Sequence, residues 1–89
     1  MIVAFRGSFR RDASNLNDRQ VKNAIRIIIQ HIKEASHLSQ IQRLVKLRKY
    51  KVHYRIEVEG NYRIGLMIRN SNVWFVRVLH RSKIYKEFP

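Results

Sequence analysis

The stretch Val52-His53-Tyr54-Arg55-Ile56-Glu57-Val58-Glu59-Gly60-Asn61-Tyr62-Arg63-Ile64-Gly65-Leu66-Met67-Ile68-Arg69 decides the fold. Val52, Tyr54, Ile56 and Val58 alternate with His53, Arg55, Glu57 and Glu59, and beyond Gly60-Asn61 the apolar set resumes at Tyr62, Ile64, Leu66 and Ile68. A period of two marks a strand with one buried face, because successive side chains point to opposite sides of the sheet. Gly60-Asn61 supplies the tight reversal of a hairpin. Asn70 to Asn72 turns the chain again and Val73 to Leu79 continues as a third strand, so the sequence predicts a three-stranded antiparallel meander. Its inner face is expected to carry Trp74, Val76 and Val78 along with the apolar residues of the hairpin.

Upstream, the period lengthens. Met1 to Phe5 is a short apolar run suited to a first strand, followed by a turn at Arg6-Gly7-Ser8. Phe9, Ala13 and Leu16 are spaced as two helical turns ending near Leu16, and Asn17 followed by Gln20 forms a variant of the capping box that opens the next helix. Val21, Ala24, Ile25, Ile28, Ile32 and Ala35 then lie on one helical stripe. The triplet Ile27-Ile28-Ile29 widens that stripe beyond one helix face, so its surplus either rests on the sheet or is covered by a partner. Ser36 to Leu47 has two readings: Leu38, Ile41 and Val45 fit a short helical turn, and Leu44 to Leu47 fits the start of an extended segment. The whole is an α+β chain with an N-terminal strand, a two-helix hairpin and a meander packed on the helices. No Pro/Gly/Ser linker interrupts it, and residues 1–89 read as a single domain.

With 89 residues, 45% of them hydrophobic, one compact core is within reach and a second is not. Nineteen Lys and Arg against six Asp and Glu give a formal charge of +13, well above the magnitude of about 2–8 that keeps a small domain soluble. A polyanionic partner follows: nucleic acid most simply, with an anionic membrane surface or an acidic protein as competitors. Aromatic residues at 10% and regular periodicity argue against a disordered basic tail. The absence of cysteine removes disulfides, Cys-ligated zinc and thiol nucleophiles, and suits a reducing compartment. Without a basic segment ahead of a long apolar run, or any run near the roughly 18 residues of a spanning helix, the expected location is the cytoplasm and no membrane partner is expected.

Alternation also distributes the charge. With the apolar residues facing the helices, Arg55, Glu57, Arg63, Arg77 and Arg81 share the opposite sheet face. Guanidinium forks donate to two phosphate oxygens at once, which suits such a face to RNA; arginines that merely solvate a wet sheet face are the alternative. The segment from Arg43 to Arg55 adds Lys46, Arg48, Lys49 and Lys51 without any acid, and the tail His80-Arg81-Ser82-Lys83-Ile84-Tyr85 groups an imidazole, cations and a phenol. Arg55, Arg77, Lys46, Arg48, Lys49, Lys51 and Lys83 are the expected RNA contacts. By strict period two His80 points inward with Val78, so a structural role and a catalytic one both stand. His31, His37 and His53 are too scattered to suggest a metal site, and Tyr62, Trp74 and Phe75 read as core or edge packing.

Tyr54-Arg55-Ile56, Gly60-Asn61-Tyr62-Arg63-Ile64 and His80-Arg81-x-x-Ile84-Tyr85, with Phe88-Pro89 closing the chain, resemble the RelE/ParE superfamily of bacterial toxins from toxin–antitoxin pairs. The resemblance covers essentially the whole chain. It implies a metal-independent, cofactor-free endoribonuclease that cuts messenger RNA in the ribosomal A site and is neutralised by a cognate acidic antitoxin in a hetero-oligomer. Arg63 matches the arginine of the family's Gly-x-Tyr-Arg element, Arg81 the arginine after the last strand, Tyr85 the C-terminal tyrosine, and Arg55 a basic position on the second strand. Cleavage by a ribose 2′-OH needs a base, a cation for the dianionic phosphorane and an acid for the leaving 5′-oxygen. The resemblance assigns Arg63 and Arg81 to the phosphorane, Tyr85 to stacking or proton donation, and His80 or Glu57 to base or acid. Glu57 departs from the pattern, standing where many relatives place a second basic residue. Another branch of the superfamily inhibits DNA gyrase, and a basic nucleic-acid-binding module without catalysis needs only the charge.

Overall fold

In a computed structural model that describes residues 1–89, the elements are β1 (Ile2–Phe5), α1 (Gly7–Ser14), α2 (Arg19–Glu34), a 3₁₀ turn (Leu38–Gln40), β2 (Leu44–Lys46), β3 (His53–Val58), β4 (Tyr62–Arg69), β5 (Asn72–His80) and α3 (Arg81–Glu87). The α+β architecture and the β3-β4-β5 meander are as expected, and both edges of the meander are extended. Five strands lie in the order β1-β5-β4-β3-β2. β1 runs parallel to β5, with Ile2 opposite Asn72 and Phe5 opposite Phe75. Aromatic packing fixes that pairing: the Phe75 ring lies 5.2 Å from Phe5 and 5.4 Å from Phe9.

The core forms between the α1/α2 side and the inner sheet face. Val21, Ile25 and Ile32 of α2 meet Ile56, Val58, Ile64, Leu66, Val73, Phe75 and Val78 of the sheet in one cluster. Each such burial contributes about 1.5–3 kcal/mol, so the amphipathic stripe of α2 is what holds it to the sheet. The Met1 amino group donates to the carbonyls of Ile32, Lys33 and Ala35 at 3.1, 3.0 and 2.6 Å, closing the C-terminal end of α2, where carbonyls lack helical partners. No helix is long and apolar enough to cross a membrane.

Several local expectations are corrected. The N-cap of α2 is Asp18 rather than Asn17: its Oδ1 accepts from the backbone N–H of Gln20 at 2.9 Å and Val21 at 3.2 Å. A carboxylate there also meets the positive end of the helix dipole, an advantage that an amide lacks. Ser36 to Leu47 contains both of its readings, the 3₁₀ turn and then β2, which pairs with β3. In β5 the buried residues are Val73, Phe75 and Val78, whereas Trp74 and Val76 are only half-buried. A register shift causes this: Leu66 faces Phe75 and Gly65 faces Arg77, leaving Val76 as an extra residue that reverses the alternation.

The outer sheet face is not simply wet. α3 lies across it, burying Ile84 and Phe88. α1 runs beside β5 beyond the end of β1. There the Ser8 hydroxyl donates to the Val76 carbonyl at 2.5 Å and the Val78 N–H donates to Asp12 at 3.1 Å, covering strand-edge groups that would otherwise be open.

Candidate functional site

The residues of the outer face sort by register. Val45, Arg55, Gly65 and Arg77 form one row across β2, β3, β4 and β5, and Glu57, Arg63 and Leu79 form the next. Beside these rows is a cleft of about 350 Å³ lined by Arg43, Val45, Arg55, Glu57, Arg63 and Tyr85. Three arginines face one carboxylate there, so the cleft favours an anion.

Arg63 is the most fixed of these groups. Its NH1 donates to the carbonyls of Gly60 and Tyr62, both at 2.9 Å, and its NH2 lies 3.6 Å from Glu57 Oε1. The turn supplies those acceptors because Glu59 at φ +50° and Gly60 at φ +76° curl the chain back on itself. Only 13% of the Arg63 side chain is exposed, against 46% for Glu57. The guanidinium is thus held before a ligand arrives, while the carboxylate stays open to solvent. Opposite them, the Arg55 guanidinium lies 5.0 Å from the centre of the Tyr85 ring, a cation–π contact that orients an otherwise exposed tyrosine.

Other candidate residues are dispersed. His80 is exposed and acts as the N-cap of α3: its Nδ1 accepts from the Ser82 N–H at 3.2 Å and lies 2.9 Å from the Ser82 hydroxyl. It makes no part of the cleft lining: it shares the row of Val58 and Tyr62, on the face of Val78 as period two predicts, with its ring 5.6 Å from that of Tyr62, but at the strand end it stays exposed. Arg81 opens α3 with its backbone N–H on the Asn61 carbonyl at 2.8 Å, and its exposed side chain is outside the cleft lining. Lys46 Nζ donates to the Tyr50 carbonyl. Arg48, Lys49 and Lys51 project from the exposed β2–β3 connection, where Lys49 takes φ +68°, and Lys83 is exposed on α3. Three or more His, Asp or Glu side chains come together nowhere as a metal-binding group.

Arg77 occupies a different setting. Its Nε donates to Asp12 Oδ2 at 2.6 Å and its NH2 to Oδ1 at 3.1 Å, with Glu87 3.9 Å away. The hydrogen bond it donates to Asp12, opposed by burial and reinforced by the charges of Asp12 and Glu87, holds the guanidinium protonated above its ordinary range. Arg77 therefore ties α1, β5 and α3 together. Sequence reasoning placed it on the correct face but had no means of finding Asp12, 65 positions away. Arg43 was equally hidden: counted only within a basic segment, it takes φ +63° immediately before β2 and lines the cleft.

A second depression of about 500 Å³ lies between α2 and the edge of β3, with Ala24, Ile27, Ile28, Ile32 and Val58 among its lining. Ile27 is 55% exposed there. Glu34, Glu57 and Glu59 stand on its rim, half of the six acids in the chain.

Fold and cleft together describe a small basic α+β protein with an anion-accepting face, and comparison with known proteins supplies the class. The family model for the ParE toxin of type II toxin–antitoxin systems, parDE, matches residues 3–85. The chain belongs to the RelE/ParE superfamily of toxins from type II toxin–antitoxin systems. It is 34% identical over 90 residues to Toxin RelE3 of Methanocaldococcus jannaschii, with full coverage of both chains. The toxin in the RelB–RelE antitoxin–toxin complex from Methanococcus jannaschii superposes with a TM-score of 0.80 at 33% identity, covering 96% of this chain and 98% of that one. The E. coli DinJ–YafQ complex gives a TM-score of 0.74 at 15% identity over 93% and 96% of the two chains, a likeness of fold alone.

Proposed function

We propose that this toxin is a ribosome-dependent, metal-independent endoribonuclease that cuts messenger RNA in the A site, in the cytoplasm, and is silenced by an acidic antitoxin. The observation that carries the reading is the pre-fixed Arg63 guanidinium facing an open Glu57 carboxylate in a cleft flanked by Arg55 and Tyr85. The ribose 2′-oxygen attacks the adjacent phosphorus as its proton passes to Glu57. Arg63, joined by Arg55, stabilises the charge that builds on the phosphorane oxygens. The P–O5′ bond breaks, the 5′-oxygen takes a proton from the Tyr85 phenol, and a 2′,3′-cyclic phosphate and a 5′-hydroxyl remain. Tyr85 also presents its exposed ring for a base to stack on, worth about 1–3 kcal/mol. Arg81 and His80 reach the RNA only where it leaves the cleft. Arg48, Lys49, Lys51 and Lys83 supply the salt-dependent hold on ribosomal and messenger RNA.

The antitoxin is proposed to neutralise the +13 surface by charge and to seat an apolar segment in the groove beside Ile27. One structural relative, 33% identical, was solved as an antitoxin–toxin complex, which supports a hetero-oligomer.

Primer extension on messenger RNA from a cell-free translation reaction tests the reading. The toxin should leave cuts, and Arg63→Ala should lower the rate about 10²–10³-fold while the fold persists. Cuts of equal rate with Arg63→Ala would refute the assignment. The ParE name of the matching family model favours a second reading, inhibition of DNA gyrase. Intact messenger RNA together with loss of supercoiling by gyrase would establish it, and RNA binding without either effect would leave a non-catalytic module.

A further inference from the structure

We propose that Gly65 is a positioning residue: its missing side chain makes a notch in the sheet that seats the Phe88 ring, and this seat sets α3 and thereby Tyr85 in the cleft. The inference rests on the nuclease reading only for its consequence for catalysis. A Cβ built on Gly65 would stand 2.7 Å from Phe88 Cγ and Cδ2 and 2.8 Å from Cδ1. Cγ is the root of the ring and does not move when the ring turns about the Cβ–Cγ bond, so the contact is relieved only by shifting Phe88 itself. Backbone conformation is not the reason for glycine here, because the positive-φ glycine of this chain is Gly60. Glycine inside a strand marks a bulge or a close approach. Gly65 serves both, since the register shift of β4 against β5 falls between Gly65 and Leu66.

The row across the sheet makes the notch specific. Gly65 lies between Arg55 on β3 and Arg77 on β5. Arg55 holds the Tyr85 ring at 5.0 Å, Arg77 lies 3.9 Å from Glu87, and Phe88 fills the gap between the two arginines. α3 has seven residues, too few to be stable without docking. Its apolar hold is the burial of Ile84 and Phe88, at 2% and 7% exposure. Filling the notch removes one of those two apolar anchors and loosens the helix that carries Tyr85.

Hydrogen exchange, NMR and single-turnover cleavage on Gly65→Ala decide the matter. The amides of α3 should exchange at least about tenfold faster while those of β3, β4 and β5 keep their protection. The Tyr85 ring resonances should move toward those of an unstructured tyrosine. Cleavage should fall to the level of Tyr85→Ala, and Gly65→Ala/Tyr85→Ala should fall no further, as expected for residues acting through one position. Phe88→Ala, which vacates the seat without adding an atom to the sheet, should reproduce all of these effects and serves if Gly65→Ala does not fold. Unchanged α3 exchange and Tyr85 resonances in both variants would overturn the proposal. Should the wild-type chain cut no RNA, the nuclease reading falls, and exchange and resonances still decide the seat.

Discussion

Replacing Asp12 by Ala should be among the most damaging single changes in this protein, although it touches neither the cleft nor the middle of the core. Asp12 is 8% exposed and accepts three hydrogen bonds, two from Arg77 at 2.6 and 3.1 Å and one from the Val78 N–H at 3.1 Å. Removing one partner of a buried ion pair costs about 3–5 kcal/mol because the other charge is stranded. Arg77 keeps 21% of its side chain in solvent and has Glu87 at 3.9 Å, which places its share near the lower end. The orphaned Val78 N–H adds about 1 kcal/mol, for a total of about 4 kcal/mol. At about 4–8 °C per kcal/mol for a domain of this size, the melting temperature should drop by roughly 16–32 °C.

Thermal and urea unfolding of Asp12→Ala, Arg77→Met and the double variant form the assay. Arg77→Met keeps the apolar stem and removes the stranded charge, so the double variant should be more stable than Asp12→Ala alone. Raised above its ordinary range in the folded state, the Arg77 guanidinium contributes stability fully present up to that ordinary range and lost only as pH rises through the raised value. The difference between wild type and Arg77→Met should therefore be flat through neutral and mildly alkaline pH. A drop under about 5 °C for Asp12→Ala, or simple additivity in the double variant, would refute this account.

Changing Arg48, Lys49 and Lys51 together to Ala should weaken single-stranded RNA binding and flatten its log–log salt dependence by about 2, at about 0.7 per phosphate contact; fluorescence anisotropy over a salt series measures it, and an unchanged slope contradicts the role. Arg77→Met should leave that same slope unaltered, because its guanidinium is committed to Asp12. Ile27→Glu puts a charge on a residue 55% exposed at the groove, so it should weaken the antitoxin complex at least about tenfold by calorimetry while cleavage by the free toxin persists. Gly60→Ala forces φ +76° on an L-residue and should cost about 1 kcal/mol, read as a melting point about 4–8 °C lower.

What the sequence determined by itself was whatever its neighbours along the chain decide. Period-two alternation from Val52 to Ile68 follows from strand geometry, and the stripe from Val21 to Ala35 from helix geometry; both appear as read. Even the cap of α2 was missed by only one position, Asp18 in place of Asn17. Arg55, Glu57, Arg63 and Tyr85 were named as candidates from local patterns and a family resemblance, and they meet in one cleft. His80 and Arg81 were named with them and lie elsewhere, because the start of α3 turns the chain immediately after β5.

Tertiary structure alone decided the parallel pairing of β1 with β5, which joins residues about 70 positions apart. It alone decided that Val76 is the extra residue of a bulge, that Asp12 occupies the Arg77 guanidinium, and that α3 covers the outer face over Gly65. Alternation reports burial on average and carries no record of which strand lies alongside, so one inserted residue exchanges inside for outside unseen. A buried ion pair or a glycine notch exists only once two distant segments share a volume, and the free energy that selects it comes from excluding water between them.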